Sequence, residues 1–200
     1  MRPPTRNEIE RRGMVAKETK IYQLKITLKY IRPPIWRRIQ VRRDITLAAL
    51  HQVLQVTMGW YDSHLHQFRA GKTYYGTPDI DEFSELNLKD DSKAQLGRVL
   101  TKLKQKLIYE YDFGDGWEHE ILLEKVLSPD STVQYPRCIG GARACPPEDC
   151  GGTGGYANFL AAIGDPNHEE HDEYLDWIGG EFDPEEFELD EVDAGLRHVT

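Results

Sequence analysis

No apolar run in this 200-residue chain approaches the roughly 18 to 20 residues that a helix needs to cross a bilayer. The opening stretch MRPPTRNEIERRGM carries charges but no apolar core of a secretory signal, so a cytoplasmic address and no membrane association are expected. Cysteine is scarce. Cys138, Cys145 and Cys150 are odd in number, lie in one stretch and contain no C-x2-C pair, which argues against a secreted disulfide framework and against a zinc ribbon. Lys and Arg are missing altogether from Ala144 to Leu196, while carboxylates crowd between Asp165 and Asp193. The first 43 positions have the reverse bias, with Glu8, Glu10 and Glu18 alone opposing their Arg and Lys residues. The formal charge of -9 hides this dipole. It fits either a basic face for nucleic acid or an acidic tail folded back over basic strands.

Several motifs are incomplete in ways that exclude their chemistry. Asp112-Phe113-Gly114 has neither the V-A-I-K lysine nor the H-R-D loop that would make it a kinase magnesium triplet. Gly151-Gly152-Thr153-Gly154-Gly155 lacks the lysine of a phosphate-binding loop and reads as a loop entering a helix. His168 and His171 are three apart, whereas a zinc-binding H-E-x-x-H pair needs four.

What is present is a change of period along the chain. Residues 1–18 are polar and read as a flexible basic arm, and 19–200 as a single domain. Strict alternation from Ile21 to Arg42, broken at Arg32-Pro33-Pro34, predicts a β-hairpin. Leu47, Leu50, Leu54 and Met58 recur at helical spacing, with Asp44 or Thr46 to start the helix and Gly59 to stop it. A second hairpin spans Leu107 to Val126, and its Asp115-Gly116 pair supplies the positive φ of a tight turn. His64–Phe68 and Thr73–Tyr75 read as short strands, residues 77–95 as a loop, and Gln95–Leu103 as a short helix. Ser128–Gly155 reads as a loop. Tyr156–Ile163, His171–Ile178 and a segment from Pro184 capped by Asp183 read as helices. Strands first and helices last predict an α+β fold with an antiparallel sheet.

Four stretches occur in order at ordinary spacing. The first is Leu50-His51-Gln52-Val53-Leu54-Gln55 with Gly59-Trp60 and His64 to Phe68; the second is Tyr109 to Trp117 with His119. The third is Pro146-Pro147-Glu148-Asp149 with Gly151-Gly152 and Gly155-Tyr156; the fourth is Asp165-Pro166 with His168, Trp177-Ile178-Gly179 and Phe182-Asp183-Pro184. On these residues the chain resembles the plasmid pRiA4b ORF-3-like proteins from about Ile21 to Val199. The resemblance implies an α+β fold and occurrence on bacterial and archaeal plasmids and in transposable elements. It implies no particular activity.

Three sets of residues could carry chemistry. Cys138, Cys145 and Cys150 with His119 would give zinc a thiolate site, against the plainer reading of ordinary loop thiols. His64 and His66 share a strand face, and with Asp112 or Asp115 they offer a second metal site. Trp36, Arg38, Arg42 and Arg43 would form a basic, aromatic surface for nucleic acid if their strand face is open. The leading expectation is a binding or regulatory module contacting nucleic acid or a mobile-element protein. The alternative is a metal-dependent enzyme, a hydrolase in particular.

Overall fold

Alternation in the first strands fixes which side chains go inside. The computed structural model describes residues 19–77 and 88–199, so the N-terminal arm lies outside the described residues. Strand β1 (Ile21–Leu28) and strand β2 (Trp36–Arg42) form the expected antiparallel hairpin, with Ile21 opposite Arg42 and Thr27 opposite Trp36. Leu24, Ile26, Leu28, Ile39 and Val41 all fall on one face and are fully buried.

That face is covered by helix α1 (Leu47–Met58). The Thr46 hydroxyl accepts the Ala49 N–H at 3.1 Å at its start, and Gly59 closes it at φ 81°. Leu47, Leu50, Val53 and Leu54 point inward without exposure.

Strands β3 (His66–Ala70), β4 (Thr73–Gly76) and β5 (Lys89–Asp90) follow, then a one-turn helix α2 (Leu96–Val99). The second hairpin is β6 (Lys106–Tyr111) and β7 (Trp117–Leu127), and β8 (Arg137–Ala142) comes next. Helices α3 (Gly152–Gly164), α4 (His171–Ile178) and α5 (Leu189–Leu196) complete the chain. The eight strands make one sheet in the order β5-β4-β3-β6-β7-β1-β2-β8. Every neighbouring pair is antiparallel except β4 and β5. The fold is α+β.

Several expectations are corrected; the stretch 77–95, expected as a loop, holds strand β5 at Lys89–Asp90, paired with β4. The Pro- and Gly-rich stretch after Ser128 contains strand β8, which pairs with β2 along its glycines. A Cβ on Gly141 would lie 2.5 Å from the Phe187 ring, so close packing explains a glycine that looked like a loop signal. The helix expected from Pro184 begins only at Leu189. Asp183 Oδ1 accepts the Glu185 N–H, but Arg143 draws Glu185 into an ion pair and Phe187 packs against the Arg37 guanidinium, holding this segment in a turn. Among the described residues no helix is long and apolar enough to cross a membrane.

Candidate functional site

Three segments meet at the end of the sheet where β1 finishes: the approach to β3, the turn between β6 and β7, and the loop entering α3. Each brings one ligand-capable side chain. His64 Nε2 lies 3.1 Å from Asp149 Oδ1 and 3.7 Å from Asp112 Oδ2. The three donor atoms lie within 4.8 Å of one another, and among the described residues this is the one group of three His, Cys, Asp or Glu ligands so placed. His64 Nε2 is buried, yet neither carboxylate reaches it with hydrogen-bond geometry. Asp112 is buried and commits Oδ1 to the N–H groups of Gly114 and Asp115, leaving Oδ2 facing His64. Asp149 is exposed, so a small rotation would bring its oxygen to the metal–ligand distance of about 2.0–2.2 Å. Asp112 at φ 56° and Asp149 at φ 60° both hold the left-handed conformation, which Asp tolerates at a cost.

The residue before each of these three joins a single hydrogen-bonded node. The Tyr111 hydroxyl donates to Glu148 Oε1 at 2.6 Å and accepts the Ser63 N–H at 2.9 Å. The His64 N–H approaches the same oxygen at 3.3 Å, and Glu148 Oε1 also takes the Tyr61 N–H. Burial and the adjacent Glu148 carboxylate push the Tyr111 phenol up, so it stays a donor. Asp115 Oδ2 accepts the Gly151 N–H at 3.2 Å, tying the β6–β7 turn to the loop. A Cβ on Gly152 would lie 2.5 Å from the Asp115 carbonyl oxygen, and one on Gly155 would lie 1.8 Å from that of Cys150. These glycines permit a close approach of backbone to backbone.

Behind this group the His51 and His66 rings stack at 3.6 Å with 6° between their planes. His51 Nδ1 meets the Tyr109 hydroxyl at 2.7 Å and its Nε2 meets Asp62 Oδ1 at 2.6 Å, while His66 Nε2 meets Asp91 Oδ2 at 2.9 Å. Burial, and then the neighbouring His66, hold the His51 pKa below its ordinary value.

The model of the family described as "Plasmid pRiA4b ORF-3-like protein" matches residues 20–191. The chain belongs to that family. This pRiA4b ORF-3-like chain is 40% identical over 159 residues to "Uncharacterized protein y4hQ" of Sinorhizobium fredii, covering 80% of this chain and 81% of the relative. It is also similar to the crystal structure of a protein of unknown function, MM3350, from Methanosarcina mazei Go1. That match has a TM-score of 0.79 and 38% identity, over 86% of this chain and 96% of the other.

The other residues proposed from sequence fare differently in this pRiA4b ORF-3-like fold. The cysteines and His119 form no metal-sized group among the described residues. Cys138 Sγ points to the carbonyls of Arg38 and Gly140, Cys145 Sγ accepts from Arg37 Nη2 at 3.3 Å, and Cys150 is buried near Asp115 and Asp149. Burial pushes up all three thiols, that of Cys150 to about 12, so none is a ready thiolate. His119 is sealed in the sheet with both ring nitrogens unpartnered, and burial lowers its pKa to about 4. His66 and Asp115 stand outside the group that holds His64.

The strand face of Trp36 is half-buried at Trp36, Arg38 and Gln40 and is not a free basic surface. Arg38 makes a two-point ion pair with Glu124 at 2.7 and 3.0 Å, and Arg42 does the same with Asp44. Arg38 and Lys25 also lie over the Trp36 ring. Arg43 turns to the Tyr22 hydroxyl and the Gly97 carbonyl. Sequence reasoning passed over Asp149 as a ligand, since its spacing from His64 and Asp112 follows no motif. It also passed over Asp62 and Asp91. Asp62 stands in sequence between Tyr61 and His64, but Asp91, among Lys89, Asp90, Ser92 and Lys93, carries no such signal.

Proposed function

We propose that this protein is a divalent-metal-dependent enzyme of the hydrolase type, with the ion held by His64, Asp112 and Asp149. The observation that carries this reading is the mutual 4.8 Å limit on the three donor atoms, one of them a buried and unpartnered imidazole nitrogen. One nitrogen and two carboxylate oxygens suit zinc or manganese better than the all-oxygen cations, and three protein donors leave positions for water and substrate. An ion there lowers the pKa of its bound water towards neutrality, which supplies a nucleophile that the protonated thiols do not. The exposed edge at Asp149 is the side from which substrate would approach. A nucleic-acid surface at Trp36, Arg38 and Arg42 is less well supported, because both arginines are already paired with carboxylates.

Elemental analysis and calorimetric titration with zinc and manganese test the reading. The parent should bind one ion per chain, His64→Ala and Asp112→Asn should weaken binding by at least the roughly tenfold to hundredfold that losing a residue supporting a ligand costs, and Cys138→Ser should leave it unchanged. Loss in Cys138→Ser, or full retention in His64→Ala, would refute the assignment. Turnover of ester or phosphoester substrates by the loaded parent, absent in Asp112→Asn, is the expected sign of an enzyme.

A further inference from the structure

A second polar site lies at the opposite end of the strands. There β1 begins and β2 ends, whereas the His64 group lies near the β7 end of the Leu28–His119 pairing. Lys20, Arg43 and Arg98 line a cleft of about 250 Å³ whose one carboxylate is Asp44. A second cleft of about 370 Å³ shares Gln95 and Arg98 with it and adds Lys89, Lys93 and Tyr75, with Asp90 as its carboxylate. Together they form a furrow running from the start of β1 to the β4–β5 edge.

The acids in this furrow are already engaged. Asp44 is gripped at both oxygens by Arg42, and Asp90 pairs with Lys93 at 2.6 Å and accepts from Ser92. Lys20, Arg43, Lys89 and Arg98 are all exposed and make no ion pair among the described residues. Arg43 is held in place by neutral groups, donating to the Tyr22 hydroxyl at 3.0 Å and the Gly97 carbonyl at 3.1 Å. Gly97 is needed for that placement, since a Cβ there would lie 2.4 Å from Arg43 Cγ. The guanidinium is therefore oriented, and among the described residues no carboxylate pairs with it. In a chain of net charge -9, four such cations in one furrow make a local positive field that an anion would complete.

We propose that this furrow binds phosphate groups, and that its occupant is single-stranded nucleic acid. The cations are strung along two adjoining clefts, as a chain of phosphates requires, and do not converge on one point. Tyr75, half-buried with Lys89 Nζ 5.9 Å from its ring centre, offers an aromatic face for a base at the far end. Of the four residues that sequence suggested for nucleic acid, Arg43 alone lines this furrow.

Fluorescence anisotropy with a short labelled single-stranded oligonucleotide, as DNA and as RNA, tests this over a range of salt. The parent should bind at low salt and weaken as salt rises. The Lys20→Glu/Arg98→Glu variant should bind about tenfold or more weakly, with the log–log salt slope reduced by about 1.4, or about 0.7 per cation lost. Lys106→Glu, on the strand face away from the furrow, should match the parent, and circular dichroism confirms that each variant is folded. No binding by the parent at low salt, or equal binding by parent and furrow variant, overturns the proposal. Tripolyphosphate is titrated in parallel. If it binds in a manner sensitive to the furrow variant while neither oligonucleotide does, the ligand is a small phosphorylated molecule and the nucleic-acid assignment falls.

Discussion

His119 gives the sharpest test of the physical reasoning, because its environment makes a prediction with a definite sign. It sits near the start of β7, paired between Leu28 and Tyr109 on the neighbouring strands, with the Trp60 ring edge-on at 5.2 Å and no solvent exposure. Burial is the main reason its pKa falls from 6.5 to about 4; the nearby backbone of Tyr109 and Trp117 offsets only part of that, and Arg37 adds to it. The folded protein therefore binds this proton less readily than the unfolded chain does. Its contribution to stability is complete above pH 6.5 and is lost as pH falls towards 4. At about 1.36 kcal/mol per pH unit, the whole gap corresponds to roughly 3 kcal/mol. The perturbation is His119→Leu, which removes the titration and keeps the site apolar. Urea unfolding followed by tryptophan fluorescence, at about pH 7 and about pH 4.5, should show the parent losing about 2 to 3 kcal/mol more than the variant over that interval. At neutral pH the variant should be equal to the parent or more stable by about 1 kcal/mol, since two unpartnered nitrogens leave the core. Parallel pH dependences would refute the reasoning, and so would a large loss at neutral pH.

Tyr109→Phe removes a buried hydroxyl that takes the Gln55 amide at 2.9 Å and meets His51 at 2.7 Å. It should cost about 1 to 3 kcal/mol in urea unfolding at neutral pH, because both partners stay behind without it. Gly155→Ala would place a Cβ 1.8 Å from the Cys150 carbonyl oxygen and must displace the loop that carries Asp149. A lower thermal midpoint together with weaker zinc binding in titration is expected, and retention of both would show that the loop yields freely.

Much of the fold could be read from local pattern. The β1–β2 alternation, the α1 helix between Thr46 and Gly59 and the β6–β7 hairpin around Asp115-Gly116 each rest on neighbours in sequence. They express side-chain period and backbone preference, which a chain carries with it before it folds. Strand β8 was hidden because its glycines serve close packing against Trp36 and Phe187, and glycine in a sequence speaks first for a turn. The Pro184 segment carried helix-start residues, yet the pull of Arg143 and Arg37 on Glu185 and Phe187 held it in a turn.

For the candidate site the division is the same. His64 and Asp112 could be paired in advance because strand period and a hairpin turn bring them near the same end of the sheet. Asp149 could not, since its position depends on the loop before α3 being pressed onto the β6–β7 turn through Gly152, Gly155 and the Tyr111–Glu148 hydrogen bond. The basic charge of the first 43 positions was plain in the sequence. Which of those cations pair with carboxylates, and which line the furrow without such a pair among the described residues, was decided only by the tertiary structure. Charge is a property of residues, but its neutralisation depends on distance, and distances between remote residues exist only once the chain has folded.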